Sequence, residues 1–247
     1  MKREFHFPAL FSARAVIAGY GQGQVLHGVD LDVAAGETVG LLGRNGVGRS
    51  TLLKAIMRLL PAAGDISMAG APLGQASTHA VTRAGIAYVP EERAIFPDLT
   101  VRENLAVGKR GRNFHGHEDS AGASWSEEEF MDMFPNLKRR ANTAGGVLSG
   151  GEQQMLTICR ALMGQPQLIL IDEPTEGLSL AMVEQVAVLL REVARRGVAI
   201  LLVEQKLTIA LDLCDRISVM GHGRIVFDGS VDQFRSDTNV RAQWLEV

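Results

Sequence analysis

The chain has 247 residues, 46% of them hydrophobic and 21% charged, with a net charge of −3; this is the balance of one large globular domain or two small packed ones, not of a disordered tail. Its 25 basic residues are spread along the chain, so no basic arm argues for nucleic acid. Lys2 and Arg3 are followed by Glu4, His6 and Pro8 rather than by the apolar run of a signal peptide, and the longest apolar stretch, "VAILLV" at 198–203, is too short to span a bilayer.

Residues 1–12 read as an N-terminal extension. From 13 to 41 short runs alternate apolar and polar between glycine-rich turns, the pattern of antiparallel strands. "TVGLLG" reads as a buried strand feeding a glycine loop, and "STLLKAIMRLL" as a helix that stops at Pro61. Residues 62–90 read as strand-rich, ending in "GIAYVP". Helix starts are expected at 98–106 and at 126–134, where Ser126 and Glu129 have capping-box spacing. The segment between them, "GKRGRNFHGHEDSAGAS", is polar and glycine-rich and reads as a surface loop. Its His115 and His117 lack the second cluster that a metal site needs. "EQQMLTICRALMG" is an amphipathic helix. "LILIDEP", "LAMVEQVAVLLREVARRG" and "VAILLVEQ" then read as buried strand, helix and buried strand, followed by a helix through "LTIALDLC" and two short strands. Cys159 and Cys214 have no metal-like spacing and read as small core residues in a reducing compartment. The expected fold is α/β with a mainly parallel sheet, an N-terminal antiparallel flank and a helical insertion at about 91–160.

Three stretches carry chemistry. "GRNGVGRST", residues 43–51, places Gly43, Gly46 and Gly48 between a strand and a helix, where glycine backbones can turn N–H groups onto one phosphate. Arg44, Asn45 and Val47 complete the loop. Arg49 is its cation, and Ser50 or Thr51 offers a hydroxyl to Mg²⁺. "LILIDEP" brings Asp172 to the carboxyl end of a buried strand, where an aspartate can hold a Mg²⁺ water and the adjacent Glu173 can polarise an attacking water. "LSGGEQQ" sets Leu148, Ser149, Gly150, Gly151 and Glu152 at a helix start, a second phosphate-binding geometry. Two such sites make sense when two chains pair head to tail around ATP.

At this point the chain resembles the ABC ATPase family over nearly its whole length. "LLGRNGVG", "AIFPDLTVRENL", "LSGGEQQML", "DEPTEGL" and "ILLVEQ" look like the importer subunits for branched-chain amino acids, or their relatives for urea and short amides. The resemblance implies a P-loop NTPase core in one ATPase domain over 13–247, with 13–90 and 161–247 forming the α/β core and 91–160 the helical subdomain. It implies that Tyr20 stacks on adenine, that Glu91 stands at the Q-loop position near Mg²⁺, and that Gln205 replaces the histidine that senses γ-phosphate. Ser179 occupies the position usually held by the D-loop aspartate. The implied cofactors are ATP and Mg²⁺. The implied partners are a second, different ATPase subunit, two membrane permease subunits and a periplasmic substrate-binding protein, with this chain peripheral on the cytoplasmic face of the inner membrane.

Arg49 departs from the family's lysine. A planar guanidinium is not interchangeable with a compact ammonium. The expectation is that it reaches the phosphates from a shifted position, leaving binding intact and hydrolysis slow; the competing expectation is obstruction of the β-phosphate. That keeps open a degenerate regulatory cassette. A non-transport ABC ATPase is disfavoured, because only about a hundred residues separate the glycine loop from LSGG and no coiled-coil heptads lie between them.

Overall fold

The computed structural model describes residues 9–109 and 124–245. Strands β1 (Ala9–Tyr20) and β2 (Gly23–Ala34) lead to β3 (Thr38–Leu42) and α1 (Arg49–Ile56), then β4 (Ala62–Met68), β5 (Ala71–Pro72), α2 (Thr78–Arg83) and β6 (Ile86–Val89). Helices α3 (Val101–Gly108), α4 (Glu127–Met133), α5 (Pro135–Arg139) and α6 (Gly150–Leu162) follow. The chain then returns to alternation with β7 (Leu168–Asp172), α7 (Leu180–Arg195), β8 (Ala199–Val203), α8 (Leu207–Leu213), β9 (Arg216–Gly221) and β10 (Arg224–Ser230), and ends in α9 (Val231–Ser236) and α10 (Thr238–Trp244).

Two sheets result. One is antiparallel, in the order β2-β1-β4-β5. The other runs β10-β9-β3-β8-β7-β6, parallel except for the edge strand β10. Strands β3, β7 and β8 are buried along their whole lengths, as their near-continuous apolar sequences require of a parallel sheet covered on both faces. The period of two divides their side chains between two cores. Leu168 and Leu170 pack with β1, β2 and α1, whereas Ile169 and Ile171 pack with residues of α6 and α7.

The helical segment starts where the capping chemistry says it should. Thr100 and Glu103 form a capping box at α3, and Ser126 and Glu129 form another at α4. Asn104, fully buried on α3, donates to the carbonyls of Phe96, Leu99 and Thr100 and accepts from the Phe96 N–H. One amide thereby fixes the segment that runs from β6 into α3.

Four expectations need correction. Strand β1 begins at Ala9, so residues 9–12 belong to the sheet rather than to an extension; Phe11 is fully buried between Val33 and Met68. Helix α1 ends at Ile56 rather than at Pro61, because Arg58 adopts φ 57 and turns the chain toward β4. The strand-rich stretch contains a helix, α2, whose N-terminus is capped by Ser77 accepting from the Ala80 N–H. Helices α9 and α10 were not foreseen, although Ser230 and Gln233 form a capping box at the first of them. The expected loop is described only at its ends, and its histidines, His115 and His117, lie outside the described residues.

Candidate functional site

The loop between β3 and α1 lies at the carboxyl edge of the parallel sheet. Gly48 caps α1 at φ 111, with its carbonyl accepting from the Leu52 N–H at 2.9 Å. A Cβ at Gly48 would lie 2.8 Å from Leu26 Cδ2 and 3.1 Å from Val25 Cγ1. Left-handed backbone and lack of room therefore both demand glycine. A turn of this kind at a helix start aims N–H groups at an anion.

Beside the loop is a cleft of about 400 Å³. Tyr20, at the end of β1 and 54% exposed, forms one wall. Asn45, Gly46, Gly48, Ser50 and Thr51 line it from the loop and α1, and Glu91, Glu173 and Gln205 line it from three further strand ends. Asp172, almost fully buried at the end of β7, accepts from Ser50 Oγ at 3.1 Å and from Tyr88 Oη at 3.5 Å. Burial pushes the Asp172 carboxyl up to about 6, against the Ser50 hydrogen bond, with the neighbouring charges of Glu173 and Glu91 adding to the rise. The Ser50 hydroxyl and the Asp172 carboxylate are hard oxygen donors of the kind that Mg²⁺ takes, while among the described residues no three acidic, histidine or cysteine side chains group as a metal site.

Glu173 is held in a conformation that few residues of its type adopt, at φ 45. Its two carboxylate oxygens are gripped separately: Oε1 accepts from Arg49 Nη2 at 2.8 Å and Oε2 from Gln205 Nε2 at 2.5 Å. The Arg49–Glu173 ion pair is buried, with side chains 5% and 8% exposed. Arg49 also donates to Asn45 Oδ1 at 3.0 Å and to the Glu204 carbonyl at 3.2 Å. The sequence reading aimed Arg49 at phosphate. Here its guanidinium is directed at the carboxylate beside Asp172. Burial raises the Glu173 carboxyl above its ordinary range, and Arg49 and then Gln205 act against that rise.

Other expected residues lie apart. Arg44 and Gly43 face a second cavity of about 580 Å³ on the far side of the loop, next to Leu207 and Leu245. Val47 packs with the core below the antiparallel sheet, its Cγ2 2.9 Å from where a Gly43 Cβ would be. Residues 148–152 are not among those lining the cleft. Ser149 and Glu152 form a capping box at α6, and the Arg93 guanidinium lies directly over Gly150. Ser179 caps α7, accepting from the Met182 N–H. Sequence reasoning passed over Tyr88, Arg93, Thr175 and Glu204. For Glu204 a signal existed, since it follows the buried strand β8 just as Glu173 follows β7.

The sequence profile of the family described as ABC transporter matches residues 26–176. The chain is 40% identical over 227 residues to the high-affinity branched-chain amino acid transport ATP-binding protein BraG of Pseudomonas aeruginosa, covering 92% of this chain and 95% of that one. It is 33% identical over 220 residues to the probable branched-chain amino acid transport ATP-binding protein LivF of Archaeoglobus fulgidus, covering 87% and 90%. A solved structure of the ATP-binding subunit of an ABC transporter superposes with a TM-score of 0.78 at 29% identity, over 96% of each chain.

The glycine requirement gives a direct test. Gly48→Ala places a Cβ against Leu26 and strains the backbone by ~1–3 kcal/mol. It should weaken ATP binding to the purified chain at least ~10-fold, the equivalent of ~1.4 kcal/mol, in a fluorescent-nucleotide titration. Unaltered affinity would mean that the loop is not the phosphate cradle.

Proposed function

The chain belongs to the ABC transporter family, and on that premise we propose that it is the ATP-hydrolysing subunit of an importer for branched-chain amino acids. The observation that carries the reading is the convergence of Ser50, Asp172, Glu173 and Gln205 around one glycine-loop cleft. The names of the relatives from Pseudomonas and Archaeoglobus support the substrate class.

In this reading the loop cradles the phosphates where Asn45, Gly46 and Gly48 line the cleft, with Tyr20 against the adenine. Ser50, Asp172 and Glu91 would hold Mg²⁺, whose charge would offset that of the phosphates. Glu173 accepts the proton of the attacking water, and the Gln205 amide orients that water but is too weakly basic to take its proton. Leu148 to Glu152 meet the ATP of a second subunit, so that hydrolysis drives the closing and opening of the pair. The family's ATPase subunits work with membrane permease components, and among the described residues no helix is long and apolar enough to cross a membrane. We assign the chain to the cytoplasmic face of the inner membrane, beside a different partner ATPase, two permease subunits and a periplasmic binding protein. Residues 91–160 form the helical subdomain that contacts the permease.

The Arg49–Glu173 pair favours a second reading, in which the site binds ATP but turns it over slowly. The guanidinium opposes the rise in basicity that burial gives the Glu173 carboxylate.

The transporter purified from its native host tests the assignment. It should contain a second ATPase and take up leucine, isoleucine or valine; two copies of this chain and no other ATPase would refute the mixed pairing. Glu173→Gln should retain ATP binding while single-turnover hydrolysis at this site falls by at least ~10²-fold, the scale of a lost general base. Retained turnover would assign the base elsewhere.

Arg49→Lys replaces the fork that spans three acceptors with a point charge. With the partner's site disabled, it should raise single-turnover hydrolysis several-fold and alter ATP affinity much less. Unchanged or slower hydrolysis would show that the loop is adapted to arginine.

A further inference from the structure

Glu204 is the first residue after β8 and is only 2% exposed, at the edge of the sheet where the cleft opens. A carboxylate is rarely buried to that degree without partners, and Glu204 has a full set. One oxygen meets the Thr175 hydroxyl, which is itself buried. The other accepts the backbone N–H groups of Gln205 and Lys206, each at 2.9 Å. Lys206 Nζ closes the same junction by donating to the Thr175 carbonyl at 3.0 Å. The Glu204 carbonyl accepts from Arg49 Nη1 at 3.2 Å.

These contacts extend the junction of the two loops beyond the last paired residues of β7 and β8, Asp172 and Val203. Thr175 lies two residues beyond Glu173 on the loop after β7, and Gln205 lies on the loop after β8. Within the junction Gln205 donates to Glu173 at 2.5 Å. Arg49, Glu173, Gln205 and Glu204 thus close into a ring, in which Glu204 is the member that does not line the cleft.

We propose that Glu204 is a positioning residue for hydrolysis: it fixes the Gln205 amide against Glu173 and ties that arrangement to Arg49 in the glycine loop. The proposal rests on the reading of Glu173 as the base. Glu204 does not line the cleft, so its effect passes through Gln205. Gln at this position retains an oxygen for the two backbone N–H groups and an NH₂ for the Thr175 hydroxyl, whereas Ala retains neither.

The test uses the whole transporter with the partner's hydrolytic site disabled, comparing ATP affinity with single-turnover rate. Glu204→Ala should slow hydrolysis by ~10–10²-fold, as expected of a misplaced catalytic group, with ATP affinity within ~3-fold, which is under 1 kcal/mol. Glu204→Gln should restore most of the rate. In a Gln205→Ala background Glu204→Ala should add little, because both changes act through the Gln205–Glu173 contact. Where Glu204→Ala does not fold, Thr175→Val removes one anchor and should show the same split between rate and affinity. Weakened binding with an unchanged rate per bound ATP, failure of Gln to rescue, or full additivity with Gln205→Ala would each overturn the proposal. Glu173→Gln in the same assay separates this failure from that of the base assignment: retained turnover there removes the base, while the Glu204–Gln205 cycle still reports their coupling.

Discussion

Parallel pairing of β6, β7, β8 and β3 is the constraint on which the rest depends. Because these strands run in register, they end at one level, and each delivers a polar group to the same edge. β3 ends in the glycine loop, β7 in Asp172 and Glu173, β8 in Glu204 and Gln205, and β6 just before Glu91. None of the four strands could be replaced by an antiparallel one without sending its chemical end to the opposite side. Burial on both faces keeps that register single-valued, since a slip by one residue would exchange Ile169 and Ile171 with Leu168 and Leu170 between cores of different shape.

The site assembled at that edge is rich in carboxylates and would be electrostatically costly alone. Asp172, Glu173 and Glu204 are all largely buried. Arg49 offsets part of that cost by facing Glu173 and the Glu204 carbonyl at once, a geometry that suits a planar guanidinium better than a single ammonium. Removing one member of a buried ion pair typically costs about 3–5 kcal/mol, because the other charge is left stranded. Arginine at this position therefore belongs to the carboxylate network as much as to the phosphate loop. Arg49 and Gln205, from two separate elements, hold the same carboxylate, that of Glu173.

Much of this was legible in the sequence. Continuous apolar runs such as "LILID" and "AILLV" identified buried parallel strands, and the capping pairs Thr100–Glu103, Ser126–Glu129 and Ser149–Glu152 coincide with helix starts. These signals are local, within five residues. What escaped depends on distance along the chain. Arg49 and Glu173 are 124 positions apart and Thr175 and Glu204 are 29 apart, and no pattern within a window reports such partners. The early end of α1 escaped for a different reason: apolar spacing persists through Leu59 and Leu60, while a single left-handed residue, Arg58, breaks the helix.

The capping box at α6 has a consequence for any ligand that approaches it. Ser149 Oγ donates its only proton to Glu152 Oε2 at 2.8 Å while accepting from the Glu152 N–H. The hydroxyl thus presents lone pairs outward, and to an incoming anion it is an acceptor facing an acceptor. It becomes a donor only by rotating its proton away from Glu152, whose carboxylate still has the Ser149 N–H and Arg140 nearby. The helix start therefore has two hydrogen-bond polarities separated by one torsion about a C–O bond, a rearrangement on the picosecond-to-nanosecond scale of side-chain rotation. An arriving phosphate would select between them without displacing any backbone atom.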